Sequence, residues 1–153
     1  MATLYSVGNS KAGVNTANTV MWQLKAAAAD RLHIREIGIF VSGAPTTAPL
    51  FALARSTALG TSSTSTLGQA LDTGDPAATG TLDSAWSSAP TFNTAGPFIR
   101  LAGLPVTAGS GVIWTFAYGE CIVVPVSAGL CIANVNASGA TVGNMVVYVT
   151  WTE

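Results

Sequence analysis

Leu32-His33-Ile34-Arg35-Glu36-Ile37-Gly38-Ile39-Phe40-Val41 is the stretch on which the fold turns. Its first half carries His33, Arg35 and Glu36; its second half is nearly all apolar. A run rich in β-branched and aromatic residues, stopped by Ser42-Gly43-Ala44-Pro45, predicts a strand. Neighbouring segments repeat the pattern. Thr19–Ala26 sets Val20, Trp22 and Leu24 on one side and Met21, Gln23 and Lys25 on the other, the period of a half-buried strand. Leu50–Arg55 is apolar up to Arg55. Thr81–Trp86 and Phe98–Ala102 are shorter strands, ended by Pro90 and by Gly103-Leu104-Pro105. Gly111–Ala117, Glu120–Val126 and Gly129–Val135 follow, with hairpin-sized links Tyr118-Gly119 and Ser127-Ala128. Asn144–Trp151 closes the chain.

Helix finds little support. Ala26-Ala27-Ala28-Ala29 has the propensity but is too short to stand in water, and Asp30 ends it. The long Ser56–Gly80 segment, rich in Thr, Ser and Gly, predicts one irregular strand around Ser65–Leu71 and one surface loop. The expectation is an all-β chain: a single-domain antiparallel β-sandwich or jelly roll over residues 19–153, preceded by an extended N-terminal arm over residues 1–18.

The 153 residues suit one domain. Charged residues are only 8% of the chain, against a usual share of about 25%, and the net charge is -1. Six basic residues, scattered, do not make a phosphate-binding surface, so no direct nucleic-acid partner is expected. Hydrophobic residues at 49% rule against disorder. Solubility rests on Ser, Thr, Asn and Gly, giving a neutral surface that is cheaper to desolvate than an ionic one. Met1–Lys11 does not read as a secretion leader, which leaves the Asn136-Ala137-Ser138 glycosylation sequon little weight. Cys121–Thr152 lacks charge altogether, but Pro125, Gly129, Asn134, Asn136, Gly139 and Asn144 cut it well below the roughly 20 apolar residues of a membrane helix. No membrane partner is expected.

Candidate chemical groups are sparse. Asp72-Thr73-Gly74-Asp75 with Asp83 offers calcium oxygens but lacks the loop spacing, and an Asx-turn before Pro76 fits better. On a regular strand His33 and Arg35 share one face and Glu36 takes the other, so the three make no catalytic cluster; pairing with Asp30 or Glu120 is the alternative use. Gly109-Ser110-Gly111 has no following Lys or helix for phosphate. A hairpin about Ser127-Ala128 sets Cys121 opposite Asn134 and Cys131 opposite Val124, a register that forbids a bridge between the two cysteines. One histidine, scattered acids and no activated nucleophile point away from an enzyme, and no metal or cofactor is expected.

Val112, Ile113, Trp114 and Phe116 are apolar on both strand parities, as are Ile122, Val123, Val124 and Val126, and Val146, Val147, Tyr148 and Val149. Strands apolar on both faces are normally covered on both. A small sandwich has one inner layer, so a homo-oligomer with a shared apolar seam is expected, with Trp114, Phe116, Tyr148 and Trp151 as interface candidates.

The Leu32–Val41 run followed by Leu50-Phe51-Ala52-Leu53-Ala54-Arg55-Ser56-Thr57-Ala58-Leu59-Gly60-Thr61 resembles jelly-roll proteins of tailed bacteriophages. Gly111–Phe116 and the closing Val146-Val147-Tyr148-Val149-Thr150-Trp151 add to the likeness. The chain is similar to capsid decoration, or cement, proteins, which often have a tumour-necrosis-factor-like jelly roll. The likeness covers most of the chain and rests on strands and turns. It implies a homotrimer on the capsid exterior, assembled in the host cytoplasm and bridging major capsid protein subunits at three-fold or quasi-three-fold positions. It carries no catalytic residues. Capsid contacts are expected on the arm, at Leu4, Tyr5, Val7 and Lys11, and on the Ser56–Gly80 loop. The rival expectation is a receptor- or carbohydrate-binding jelly roll of a tail fibre, with Trp86, Trp114 or Trp151 stacking on sugars.

Overall fold

The computed structural model describes residues 2–14, 16–136 and 143–153. Part of the Asn136-Ala137-Ser138 sequon lies outside the described residues. Two antiparallel sheets pack face to face, and no helix occurs among the described residues. With strands numbered in chain order, the first sheet holds β1 (Leu4–Lys11), β3 (Leu32–Val41), β6 (Gln69–Ala70), β10 (Gly111–Thr115), β11 (Ile122–Val124) and β13 (Met145–Thr152). The second holds β2 (Thr19–Lys25), β4 (Leu50–Ala58), β5 (Thr61–Leu67), β7 (Thr81–Ser88), β8 (Thr91–Phe92), β9 (Arg100–Gly103) and β12 (Gly129–Asn134). The orders are β10-β3-β13-β1-β6 and β5-β7-β2-β12-β4-β8, with β11 also on β3 and β9 also on β4. The all-β sandwich read from the strand pattern is the observed architecture.

Alternation decides which residues fill the core. In the first sheet Ile37, Ile39, Val41, Met145, Val147, Val149, Tyr5 and Val7 point inward; from the second come Trp22, Leu24, Phe51, Leu53, Leu130 and Ile132. Each large apolar side chain so buried contributes about 1.5–3 kcal/mol.

Several expectations need correction. Leu4–Lys11 is no arm: it is β1, paired along its length with β13 and flanked on the other side by β6, so the division at residue 18 marks no domain boundary. Its alternate residues Tyr5 and Val7 supply core contacts that hold it there. The predicted strand around Ser65–Leu71 resolves into β5 and β6, which belong to different sheets. The compact C-terminal strands are not hairpins. β10 and β11 lie end to end on the same side of β3, with Phe116–Cys121 looping out between them, while β12 crosses to the second sheet. Cys121, in the excursion just before β11, and Cys131, on β12 of the second sheet, are free thiols and not on facing strands of one hairpin. In β2, a bulge at Met21 turns that residue inward with Trp22 and leaves Val20 on the outer face.

The outer face of the second sheet is covered by the chain itself. Val20, Ala54, Cys131 and Ala133 pack under Phe92, with Trp86 and Phe98 at the margin. Every residue of β12 is therefore buried without help from another molecule. Burial pushes the Cys131 thiol pKa up, only partly offset by its hydrogen bond with Ser56.

Candidate assembly face on the first sheet

Among the described residues, the outer face of the first sheet has no such cover. Pairing aligns its outward residues in rows across four strands. One row is Gly111, Phe40, Val146 and Ser10; the next is Ile113, Gly38, Tyr148 and Gly8; the third is Thr115, Glu36, Thr150 and Ser6. Phe40 and Tyr148 stack at 6.2 Å between ring centroids. Their rings lie flat on the sheet because the positions beneath are glycines: a Cβ at Gly38 would collide with the Tyr148 ring, and one at Gly111 with the Phe40 ring. Ile113 stays 52% exposed beside them. The result is a low apolar platform edged by Ser6, Ser10, Thr115 and Thr150.

Its polar margin is anchored. Tyr148 donates from its hydroxyl to Glu36 Oε1 at 2.6 Å, and Thr115 donates to Glu36 Oε2 at 3.1 Å. The Tyr148 phenol is pushed up to about 12, chiefly by that hydrogen bond to the carboxylate, with desolvation and the Glu36 charge adding to it.

Next to the platform, β3 bulges. Thr150 pairs with Glu36 and Trp151 with Ile34, so Arg35 is the extra residue. The bulge returns both Ile34 and Ile37 to the core and puts Arg35 and Glu36 on the outer side with His33. The regular-strand expectation that Glu36 faces away from Arg35 is therefore corrected; bulges characteristically re-aim side chains in this way. Arg35 separates two cavities of about 350 and 410 Å³, which share Arg35, Tyr118 and Thr152 in their walls. In the smaller one the Cys121 thiol lies 3.4 Å from His33 Nδ1, a proximity hidden by a separation of 88 positions. Among the described residues no third side chain orients His33, and neither Asp30 nor Glu120 pairs with it or with Arg35.

Of the four interface candidates, only Tyr148 stands on the platform. Trp151 is fully buried and Phe116 nearly so. Trp114 lies in the inward row with Ile37, Val149 and Val7. These three aromatic residues close the core of one molecule, a correction to the expected seam. Phe40, Ile113 and Val146 were missed as candidates, although strand parity anchored on Val147 and Val149 locates them.

The expected capsid contacts change similarly. Tyr5 and Val7 are in the core. Lys11 is a staple: its ammonium donates to Ser84 O at 2.6 Å and Met21 O at 3.3 Å and stands 5.0 Å from the Trp86 ring centre. Burial lowers its pKa. Of the four, Leu4 alone keeps substantial exposure, in the wall of the larger cavity. Asp72 does form an Asx-turn, its Oδ1 accepting from Gly74 N at 2.9 Å. Asp83 is remote from it, buried and ion-paired with Lys25 at 3.3 Å. No group of metal-ligating side chains occurs among the described residues. Glu153 accepts from Thr79 N, Thr79 Oγ1, Gly80 N and Trp151 Nε1, clamping the turn before β7.

No protein-family model, curated protein or solved structure matches this chain.

Proposed function

We propose that this chain is a structural virion protein: a homotrimer that decorates the exterior of a bacteriophage capsid and stabilises it by bridging major capsid protein subunits. The platform of Phe40, Ile113, Val146 and Tyr148 carries the self-association. Apolar, flat and lacking charge save at its Glu36 margin, it offers area that a second copy covers with small desolvation cost, and it stands where the second sheet has its own chain as cover. The virion role rests on the strand and turn resemblance described above.

The proposed jelly-roll type has support in the topology. Strands β1, β13, β3 and β10 lie in one sheet and β2, β12, β4 and β9 in the other, so the chain changes sheet at β1–β2, β2–β3, β3–β4, β9–β10, β11–β12 and β12–β13, and also on either side of the short β6, at β5–β6 and β6–β7. A rigid trimer gains capsid affinity by multivalency, since later contacts become intramolecular. Short Ser and Thr side chains lose little entropy on docking.

The sugar-binding alternative has less behind it. Trp151 is buried, Trp114 faces inward, and Trp86 lies beneath the Lys11 ammonium. The test is reconstitution: expanded capsid shells lacking the protein, mixed with it, bind three copies per site and resist rupture. Shells that stay bare, with gold-labelled antibody marking tails instead of heads on intact virions, would overturn the reading.

A further inference from the structure

Arg35 is a cation without a counter-charge among the described residues. Its guanidinium lies 4.6 Å from the Tyr118 ring centre, and Nη2 donates to Thr152 Oγ1 at 3.3 Å. Nη1 is shut off from solvent and meets no acceptor among the described residues. The two nearby carboxylates are turned elsewhere, Glu36 toward Tyr148 and Thr115, Glu153 toward Thr79, Gly80 and Trp151. Yet open space of about 350 Å³ lies alongside. A guanidinium that lines a cavity and keeps one donor unpaired suits a carboxylate above other ligands, a small side-chain shift bringing Nη1 to the cavity wall.

We infer that this cavity receives the Asp75 carboxylate of a second copy of the chain, which fixes the register of the homo-oligomer; the inference rests on the assembly proposed above. The occupant follows from an inventory of acids. The chain has seven. Asp83 pairs with Lys25, Asp30 accepts from Thr79, Asp72 closes its turn, and Glu36 and Glu153 are engaged as described. Glu120 lies on the same excursion as the cavity-lining Tyr118, Gly119 and Cys121, at the edge that supplies the cavity and not at the opposite one. Asp75 remains, with an unengaged carboxylate on the exposed loop after β6.

The placement suits a ring. β6 is one edge of the first sheet, and β10 with β11, next to Arg35, is the other. Unlike patches at opposite edges join head to tail, and such contacts close into a cyclic oligomer when the rotation permits. Ile113 of the platform lies on β10, so a copy docking at that edge covers apolar surface as it seats the carboxylate beside Arg35.

A charge-swap experiment tests this by sedimentation velocity over a concentration series, with circular dichroism confirming the fold of each variant. Asp75→Arg, in an exposed turn, raises the concentration needed for half-association by about tenfold or more, as close charge pairs at interfaces do. Arg35→Glu does the same, and the two together regain most of the loss. Glu120→Arg, an equal change of charge, stays within about twofold. If Asp75→Arg leaves association unchanged, or Glu120→Arg weakens it equally, while the wild type remains trimeric, the inference falls and the assembly stands. A wild-type chain that never associates overturns both.

Discussion

Replacing Ile113 with lysine separates the platform from the core. Ile113 is 52% exposed in the isolated chain, so the substitution leaves no cavity and the fold is kept. Full burial of such a side chain contributes about 1.5–3 kcal/mol, and roughly half remains to be gained on docking. That is about 0.75–1.5 kcal/mol per interface. A closed trimer has three equivalent interfaces, giving about 2–4.5 kcal/mol for the assembly, or on the order of 40- to 1000-fold in the dissociation constant at about 1.4 kcal/mol per tenfold. Desolvating the introduced ammonium adds to the loss. Leu101→Lys is the matched control, since Leu101 is also 52% exposed but lies on β9 of the opposite sheet. Sedimentation velocity reads both variants. Ile113→Lys associating like the wild type, or Leu101→Lys dissociating equally, would refute the assignment of the platform.

The remaining predictions concern β1, the titrating groups and capsid attachment. Removing Leu4–Lys11 abolishes the cooperative thermal transition seen by circular dichroism, because it deletes a strand between β13 and β6; a stable, folded truncation would restore the arm reading. In ultraviolet titration one phenol ionises at about 12, and Glu36→Gln brings it down. The folded pKa of Tyr148 lies above its ordinary value of 10, so its contribution to stability is whole below pH 10 and lost as pH climbs toward about 12. Glu153 behaves oppositely. Burial alone would raise its pKa, but donors from Trp151, Thr79 and Gly80 outweigh burial and lower it. Its stabilisation is present above about pH 4.5 and disappears as pH falls through the lowered value; Glu153→Ala costs about 1–2 kcal/mol at neutral pH in urea denaturation. Attachment to capsids persists in roughly 1 M salt, where the Debye length is about 3 Å, because apolar contact carries it; release by salt alone would contradict this.

Much of the architecture was legible from alternation. Leu32–Val41 matches β3 residue for residue, and Asn144–Trp151 differs from β13 by one position at each end. Period-two patterning is local, and the pairing edge of each strand is not. β10 and β11 read as successive hairpin strands because Tyr118-Gly119 has hairpin length; that both add to β3 depends on the excursion of Phe116–Cys121. Apolar residues on both parities marked β10, β11 and β13, whereas the strand buried on both faces is β12, and its cover is the chain's own Phe92, Trp86 and Phe98. The assembly platform was half visible. Tyr148 stands out by its polar hydroxyl in an apolar run; Phe40 and Ile113 look like core residues until the pairing of Val147 with Ile39 and Val149 with Ile37 sets the parity. The Arg35 cavity left no trace in the sequence, since His33, Tyr118, Cys121 and Thr152 converge only in the folded molecule.

Native mass spectrometry of the purified chain at micromolar concentration tests the central claim most directly. A single species at three times the 15.5 kDa chain mass, reverting to one chain on Ile113→Lys, is the predicted result. A lone 15.5 kDa species at every concentration, with Phe40, Ile113 and Tyr148 open to water, would contradict it.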